Sequence, residues 1–408
     1  MLPLIGLCAS LVIAMLGNTI SALALPWFVL ELTGSASETG LTAFVGAVPM
    51  VLGLLFGGTL VDRLGYRRSS IIADLASFLA VAAVPLLHLT IGLEFWQLLV
   101  LVFLGALLDS PGSTAREALL PSVAKAAGLP LERVNAVFES IQGLIFLLGP
   151  VLAGLLVMLL GPVQALWVNA ATFVIAALLI VVLVPRHIGQ APPQTQRYFA
   201  AWREGLRFLW HERLLRALTG ISTLFVLLIA PISVVMPVYM QRTYGSALDL
   251  GLFLSATGAG SIVGALLYAW LAPRLPAWVT PRRLLLVGLY GIALSFAVIA
   301  LLPPLAVLLA ASFVQGLVSG PINPLVATAM QQRTPENMRG RVLGMMGGLA
   351  MISSPLGFLL AGFLVDVLGV QAVLIGITGG FALVALATLF IPALHELDAK
   401  HERDQFQV

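Results

Sequence analysis

Apolar residues in this chain come in long unbroken blocks, and short polar interruptions separate them. Twelve blocks stand out, near 5–30, 38–61, 70–92, 95–118, 134–160, 163–184, 215–240, 247–271, 283–302, 304–330, 342–367 and 370–392. Each holds about 20 residues or more, enough for a helix to cross a hydrocarbon layer of roughly 30 Å. A bilayer satisfies no backbone hydrogen bonds, so a segment that crosses it must bond internally. The pattern therefore predicts an all-α integral membrane protein with twelve transmembrane helices.

Composition supports that reading. The 408 residues are 60% hydrophobic and 10% charged, with mean hydropathy +1.05, against about 25% charged residues in soluble domains. The first block contains "ALA", which looks like a signal-peptide cleavage site, but it lacks a basic start and its apolar run is long, so a retained span is expected. Cys8 lies in that block without the small preceding residue of a lipoprotein site, and a single cysteine excludes an internal disulfide.

One long polar stretch, "RHIGQAPPQTQRYFAAWREGLRFLWHERLLR", divides the blocks six and six. The expected organisation is a six-helix bundle over 1–184, a linker over 185–213, a second bundle over 214–392 and a tail over 393–408. The linker opens Pro/Gln-rich. From Phe199 it reads as an amphipathic helix, with Phe199, Trp202, Leu206 and Leu209 on one face.

Basic residues mark the cytoplasmic ends of membrane spans. They collect after spans two (Arg63, Arg67, Arg68), four (Arg116, Lys125, Arg133), eight (Arg274, Arg282, Arg283) and ten (Arg333, Arg339, Arg341), and in the linker and tail. Only Arg242 clearly falls on the other side. Both termini are therefore expected in the cytoplasm, and the net charge of +3 reflects this inner rim. No nucleic-acid partner is expected.

A repeat sharpens the picture. "GTLVDRLG" from Gly58, "GLLVMLLG" from Gly154, "GALLYAWL" from Gly264 and "GFLVDVLG" from Gly362 close spans two, five, eight and eleven. A unit of three spans used four times enters the membrane from alternate faces. Such 3+3 inverted repeats place a binding site near the midplane between the halves.

On these residues the chain resembles the major facilitator superfamily over essentially its full length. "GTLVDRLGYRR" is similar to its signature between spans two and three, matching at Gly58, Leu60, Asp62, Arg63, Gly65 and Arg67, with Tyr66 where a basic residue is usual. "LLGPVLAG" is similar to the span-five signature of its antiporters, carried by Gly149, Pro150 and Gly154, with Ala153 in place of a usual glycine. "PWFVLELTGS", "REALLP", "NAVFESIQGLIFLLGP" and "IPALHELD" look like the drug:proton antiporters of the Tap and macrolide-efflux group. The resemblance implies proton-coupled export of drugs or other amphiphiles by alternating access. It also implies a bacterial cytoplasmic membrane, a functional monomer and no cofactor beyond the proton gradient.

The first signature reads physically as a latch on the cytoplasmic side. Gly58 and Gly65 permit close approach and a tight turn, Asp62 can face the N-terminus of a helix such as span eleven, and Arg67 can reach Glu117. The alternative is a solvated basic loop.

Ionised groups within a membrane are costly and are functional suspects by default. Glu139 is the first candidate for proton coupling, because Asn135, Glu139, Gln142 and Phe146 fall at i, i+4, i+7 and i+11 and make one polar face. Asp109 shares a face with Ser113 and Arg116, as an internal ion pair or part of the gate. Asp74, early in span three, has a structural alternative. Asn18 stands where relatives often carry Asp, so no proton is carried there, but Asn18 and Ser21 remain candidate substrate contacts. Gln315, Ser319, Asn323 and Ser354 supply further weak polar groups. Pro231, Pro237, Pro321, Pro324 and Pro355 are expected to kink their helices, and "GMMGG" and "GAGSIVG" to serve tight helix contact. No metal site is expected. The five His are scattered, "GxxxxGK[ST]" is absent, and neither an enzyme nor an ATP-driven pump is expected. A lysophospholipid or siderophore carrier on the same scaffold is the alternative function.

Overall fold

The computed structural model describes residues 1–189, 198–276, 278–335 and 338–398, without the side chains of 54–60, 62, 63, 198–202, 340 and 341. The described residues form sixteen α-helices: α1 (Leu2–Thr33), α2 (Ala36–Leu64), α3 (Tyr66–Thr90), α4 (Phe95–Ala127), α5 (Leu131–Leu160), α6 (Pro162–Leu183), α7 (Tyr198–His211), α8 (Arg213–Ile229), α9 (Ile232–Thr243), α10 (Ala247–Leu271), α11 (Pro281–Ala300), α12 (Leu305–Ser319), α13 (Ile322–Arg333), α14 (Arg339–Met351), α15 (Ser354–Leu368) and α16 (Val370–Leu389). Twelve spans are long and apolar enough to cross a membrane. Each lies where an apolar block predicts it.

The two chain halves are built differently. In the first, each span is one continuous helix, and Pro26, Pro85, Pro111, Pro121 and Pro150 sit inside without breaking it. In the second, spans seven, ten and eleven are each two helices: α8 with α9, α12 with α13, and α14 with α15. The breaks fall beside Pro231, Pro321 and Pro355. Pro lacks the N–H that would continue the ladder and crowds the preceding turn. Pro237 lies inside α9, and Pro324 inside α13, without interrupting either.

The spacing of the repeat reappears as turn geometry. Gly65, Gly161 and Gly369 each end one helix and begin the next, with φ/ψ of 84°/142°, 86°/160° and 86°/162°. That combination is essentially restricted to glycine. The fourth copy, "GALLYAWL", ends without a glycine, and α10 passes instead into a 3₁₀ turn over Ala272–Arg274.

The chain divides into two compact units, residues 1–194 with 236–255, and residues 195–235 with 256–408. The first thus includes part of α9 and α10, which the linker places in the second half. A close helix contact accounts for this. A methyl group on Gly154 of α5 would lie 2.5 Å from the Ala247 carbonyl oxygen, and one on Gly251 would overlap that of Pro150. At one end of the unit, Leu7, Leu11, Leu119, Val123, Phe138 and Ile180 form an apolar core.

The second unit contains a comparable seam. Gly260 and Gly264 of α10 meet the Phe313 and Leu317 carbonyls, while Gly316 of α12 and Gly320 just after it meet those of Thr257 and Ser261. This bears out the expectation for "GAGSIVG". That for "GMMGG" is corrected, since a methyl group on Gly344, Gly347 or Gly348 would meet open space. The linker helix α7 docks by the fully buried Leu209 onto a core that includes Leu214, Leu285, Met330, Val342 and Leu394.

Candidate coupling site

Among the described residues, charge enters the apolar interior of the first unit where α3 and α4 meet. Arg116 of α4 is 2% exposed and donates from Nη1 to Asp74 Oδ1 of α3 at 2.6 Å, with Asp74 fully buried. Gly112, one turn earlier on α4, makes this approach possible: a methyl group there would crowd Ala73 at 3.0 Å. On its other side, Arg116 Nη2 lies 3.8 Å from Oδ1 of Asp109, whose side chain is 21% exposed. Asn18 Nδ2 of α1 donates to Asp109 Oδ2 at 2.9 Å. Three helices thus meet in a chain of four groups, Asn18, Asp109, Arg116 and Asp74.

Asp109 and Arg116 stand within ion-pair distance, as one of the two roles the sequence leaves open for them requires. The arrangement leaves a charge imbalance, because two carboxylates face one guanidinium. Asp74 Oδ2 and Asp109 Oδ1 have no hydrogen-bond partner, and neither do the buried hydroxyls of Ser70 and Ser77 on the same helix as Asp74. Ser70, Asp74 and Ser77 fall at i, i+4 and i+7, one face of α3. Buried polar atoms are ordinarily satisfied by protein or by ordered water.

Around the chain of four lies a more open polar face. Ser113 and Glu117, one and two turns past Asp109 on α4, are exposed, as are Asn135 and Glu139 on α5, with Gln142 partly so. Glu117 and Glu139 are close enough to repel electrostatically. Phe146 continues the face at 54% exposure, and Ser21 of α1 is partly exposed. The α5 stripe is therefore turned away from its own core. Gly149 keeps α5 close to α1, since a methyl group there would lie 3.1 Å from Thr19 Cγ2. In the second unit Gln315 is buried and Asn323 exposed.

The expected reach of Arg67 to Glu117 is corrected. Arg67 donates from Nε to the Val184 carbonyl at 2.7 Å and from Nη2 to that of Val181 at 2.9 Å. The last carbonyls of α6 lack helical partners and carry partial negative charge, so they attract the guanidinium. Beside it Tyr66 N–H donates to the Gly189 carbonyl at 3.0 Å, closing the segment after α6 onto the Gly65 turn. The expected positions of Gly58, Asp62 and Arg63 in the latch lie outside the described side chains. The link from Arg116 to Asp74 is what sequence reasoning missed. Its only signal is that two opposite charges in separate spans need a partner.

Comparison with known proteins agrees with this architecture. The sequence matches the family model described as Major Facilitator Superfamily over residues 7–306 and 279–406. It is similar to the multidrug efflux pump Tap of Mycolicibacterium fortuitum, 37% identical over 97% of both chains. It is also similar to Tap of Mycobacterium tuberculosis, 38% identical over 95% of this chain and 93% of the other. Macrolide efflux protein A of Streptococcus pyogenes is 22% identical over 88% of each. Among solved structures, the nucleoside transporter NupG matches with a TM-score of 0.77 at 14% identity, covering 96% of this chain and 99% of the other. The peptide transporter POT matches with 0.75 at 15%, covering 97% and 95%. The chain, an all-helical protein of twelve spans, belongs to the Major Facilitator Superfamily of membrane transporters.

Proposed function

We propose that this protein exports amphiphilic, drug-like small molecules in exchange for protons. It would do so by alternating access of two six-helix bundles, 1–184 and 214–392, in a bacterial cytoplasmic membrane. The observation that carries the coupling is the pairing of two carboxylates, Asp109 and Asp74, with the single guanidinium of Arg116 inside the helices. With both acids ionised, the cluster holds one uncompensated negative charge, which is expensive in a membrane interior. One bound proton neutralises it. Asp109, partly exposed, is the member that exchanges the proton, while Asp74 and Arg116 hold the charge beneath it. Glu139, with Glu117 beside it, attracts the substrate's positive charge to the same face. Asn18, Ser21, Asn135, Gln142 and Phe146 line that face, with Gln315 and Asn323 as candidate contacts from the second half. The identity to Tap pumps over nearly the whole chain supports the substrate class.

The test uses purified protein in liposomes, with a lipophilic fluorescent cation as substrate and an imposed pH gradient. The wild type accumulates the cation against its concentration gradient. Asp109→Asn and Glu139→Gln each lose gradient-driven accumulation, yet retain exchange of labelled for unlabelled substrate, which needs no net proton movement. Transport by both variants that still follows the pH gradient overturns the coupling assignment. Movement of lysophospholipid independent of the gradient, with no transport of the cation, favours the carrier alternative.

A further inference from the structure

At one end of the second unit a groove of about 360 Å³ opens between the first turns of α8 and the segment after α16, lined by Arg213, Arg216, Ala217, Pro392, Ala393 and Glu396. We propose that this groove binds the anionic headgroup of a phospholipid, whose acyl chains lie along the neighbouring surface of α8 and α16.

The groove's charge is the first argument. Glu396, its only acid, is already engaged: Arg333 donates from Nη1 to Glu396 Oε2 at 2.9 Å and from Nη2 to the Glu396 carbonyl at 3.0 Å. Glu212, next to Arg213, lies 3.6 Å from the same Arg333. Among the described residues Arg216 donates to the Trp210 carbonyl, at 3.1 Å, and neither it nor Arg213 pairs with an acid. Arg213, Arg216 and Arg333 together outnumber Glu212 and Glu396, so two exposed guanidiniums face a cavity that keeps a net positive charge. A phosphodiester, with two acceptor oxygens, matches such a pair.

The second argument fixes the source of the phosphate. Leu214, Leu215 and Leu218 anchor α8 in the core, so its Arg213, Arg216 and Ala217 face is turned outward. Continuing down that face come the exposed Gly220 and Leu224; α16 packs on α8, and near its end Leu386, Leu389 and the 76% exposed Phe390 just past it are exposed as well. The arginines thus stand where span seven begins and span twelve ends, next to an exposed apolar helix surface. Trp210 of α7, 63% exposed, sits beside them, a residue type favoured at the membrane interface. Basic pockets between spans at the membrane surface recognise acidic headgroups by this combination. A free phosphate would use the arginines and leave the apolar surface idle.

Native mass spectrometry of the full chain, released from nanodiscs with equal amounts of phosphatidylglycerol and phosphatidylcholine of matched chains, tests this. The wild type retains phosphatidylglycerol in about tenfold excess or more, the scale expected of two basic residues at a membrane surface. Arg213→Gln with Arg216→Gln brings the ratio near unity, while the paired Lys substitutions keep most of it. Equal retention of both lipids by the wild type, or an unchanged ratio in the Gln pair, overturns the site. Displacement of phosphatidylglycerol by millimolar inorganic phosphate shows a free-anion site and also overturns the lipid assignment. Lipid preference and phosphate displacement are both read on the wild type, so the outcome survives misfolding of a variant.

Discussion

Arg116 has two neighbours of opposite charge and almost no water, so its removal and its replacement are different experiments. Arg116→Ala leaves Asp74 buried with no counter-charge, and breaking a buried pair from one side costs about 3–5 kcal/mol. Arg116→Met combined with Asp74→Leu removes both charges and fills the space, which is often neutral for stability. Thermal unfolding in detergent should therefore show a large loss for the single variant and near recovery for the double one. Gradient-driven transport should be absent from both. Equal melting of the single variant and wild type would mean that the pair is solvated. At this scale the sequence was half legible. Asp109 and Arg116 are seven residues apart on one helix, and periodicity alone relates them. Asp74 and Asn18 lie 42 and 91 residues from their partners, and only the packing of α3 and α1 on α4 brings them in. Arg67 was misread because a guanidinium is satisfied equally well by carbonyls at a helix end, and charge pairing in sequence does not register those.

Glycine decides how the helices turn and how closely they pack, and the two uses differ in what a side chain would cost. At Gly369 a methyl group meets open space, yet φ 86° with ψ 162° is strained for any L-residue. Gly369→Ala should lose about 1–3 kcal/mol from backbone conformation alone. Gly376, within α16, also faces open space but is helical, and Gly376→Ala should be neutral or stabilising by up to about 1 kcal/mol. In the seam of α10 and α12 the obstacle is the opposite helix's backbone. Gly316→Leu must force the helices apart and should abolish the folded peak in size-exclusion chromatography of detergent extracts. Melting temperatures of the two Ala variants in the opposite order would refute the turn argument. Elements were the most legible scale, because a span is written in twenty consecutive residues and the Gly-ended repeat marks where spans two, five and eleven turn. The breaks in spans seven, ten and eleven were less so. Proline occurs in continuous spans as well, and whether a helix parts beside it depends on neighbours that can satisfy the freed carbonyls.

For the molecule as a whole, the asymmetry of charge gives a direction. Arg63, Arg67, Arg68, Arg186, Arg282, Arg283 and Arg333 gather at connections after even-numbered spans. Arg242 stands at the opposite kind of connection, where it donates to the Gly34 carbonyl at the turn between spans one and two at 3.2 Å. During insertion, short basic loops stay on the cytoplasmic side, so the even connections and both termini should be cytoplasmic. Cys8 is the only cysteine, and Cys8→Ala therefore provides a blank background for labelling. In that background, a membrane-impermeant maleimide applied to intact cells should label Ser246→Cys, between spans seven and eight, and leave Arg186→Cys, after span six, unlabelled until the cells are opened. The reverse pattern would invert the protein and place the groove of Arg213 and Arg216 on the outer leaflet. The same basic rim would then face away from the side that insertion favours, and the transport direction proposed here would lose its physical basis.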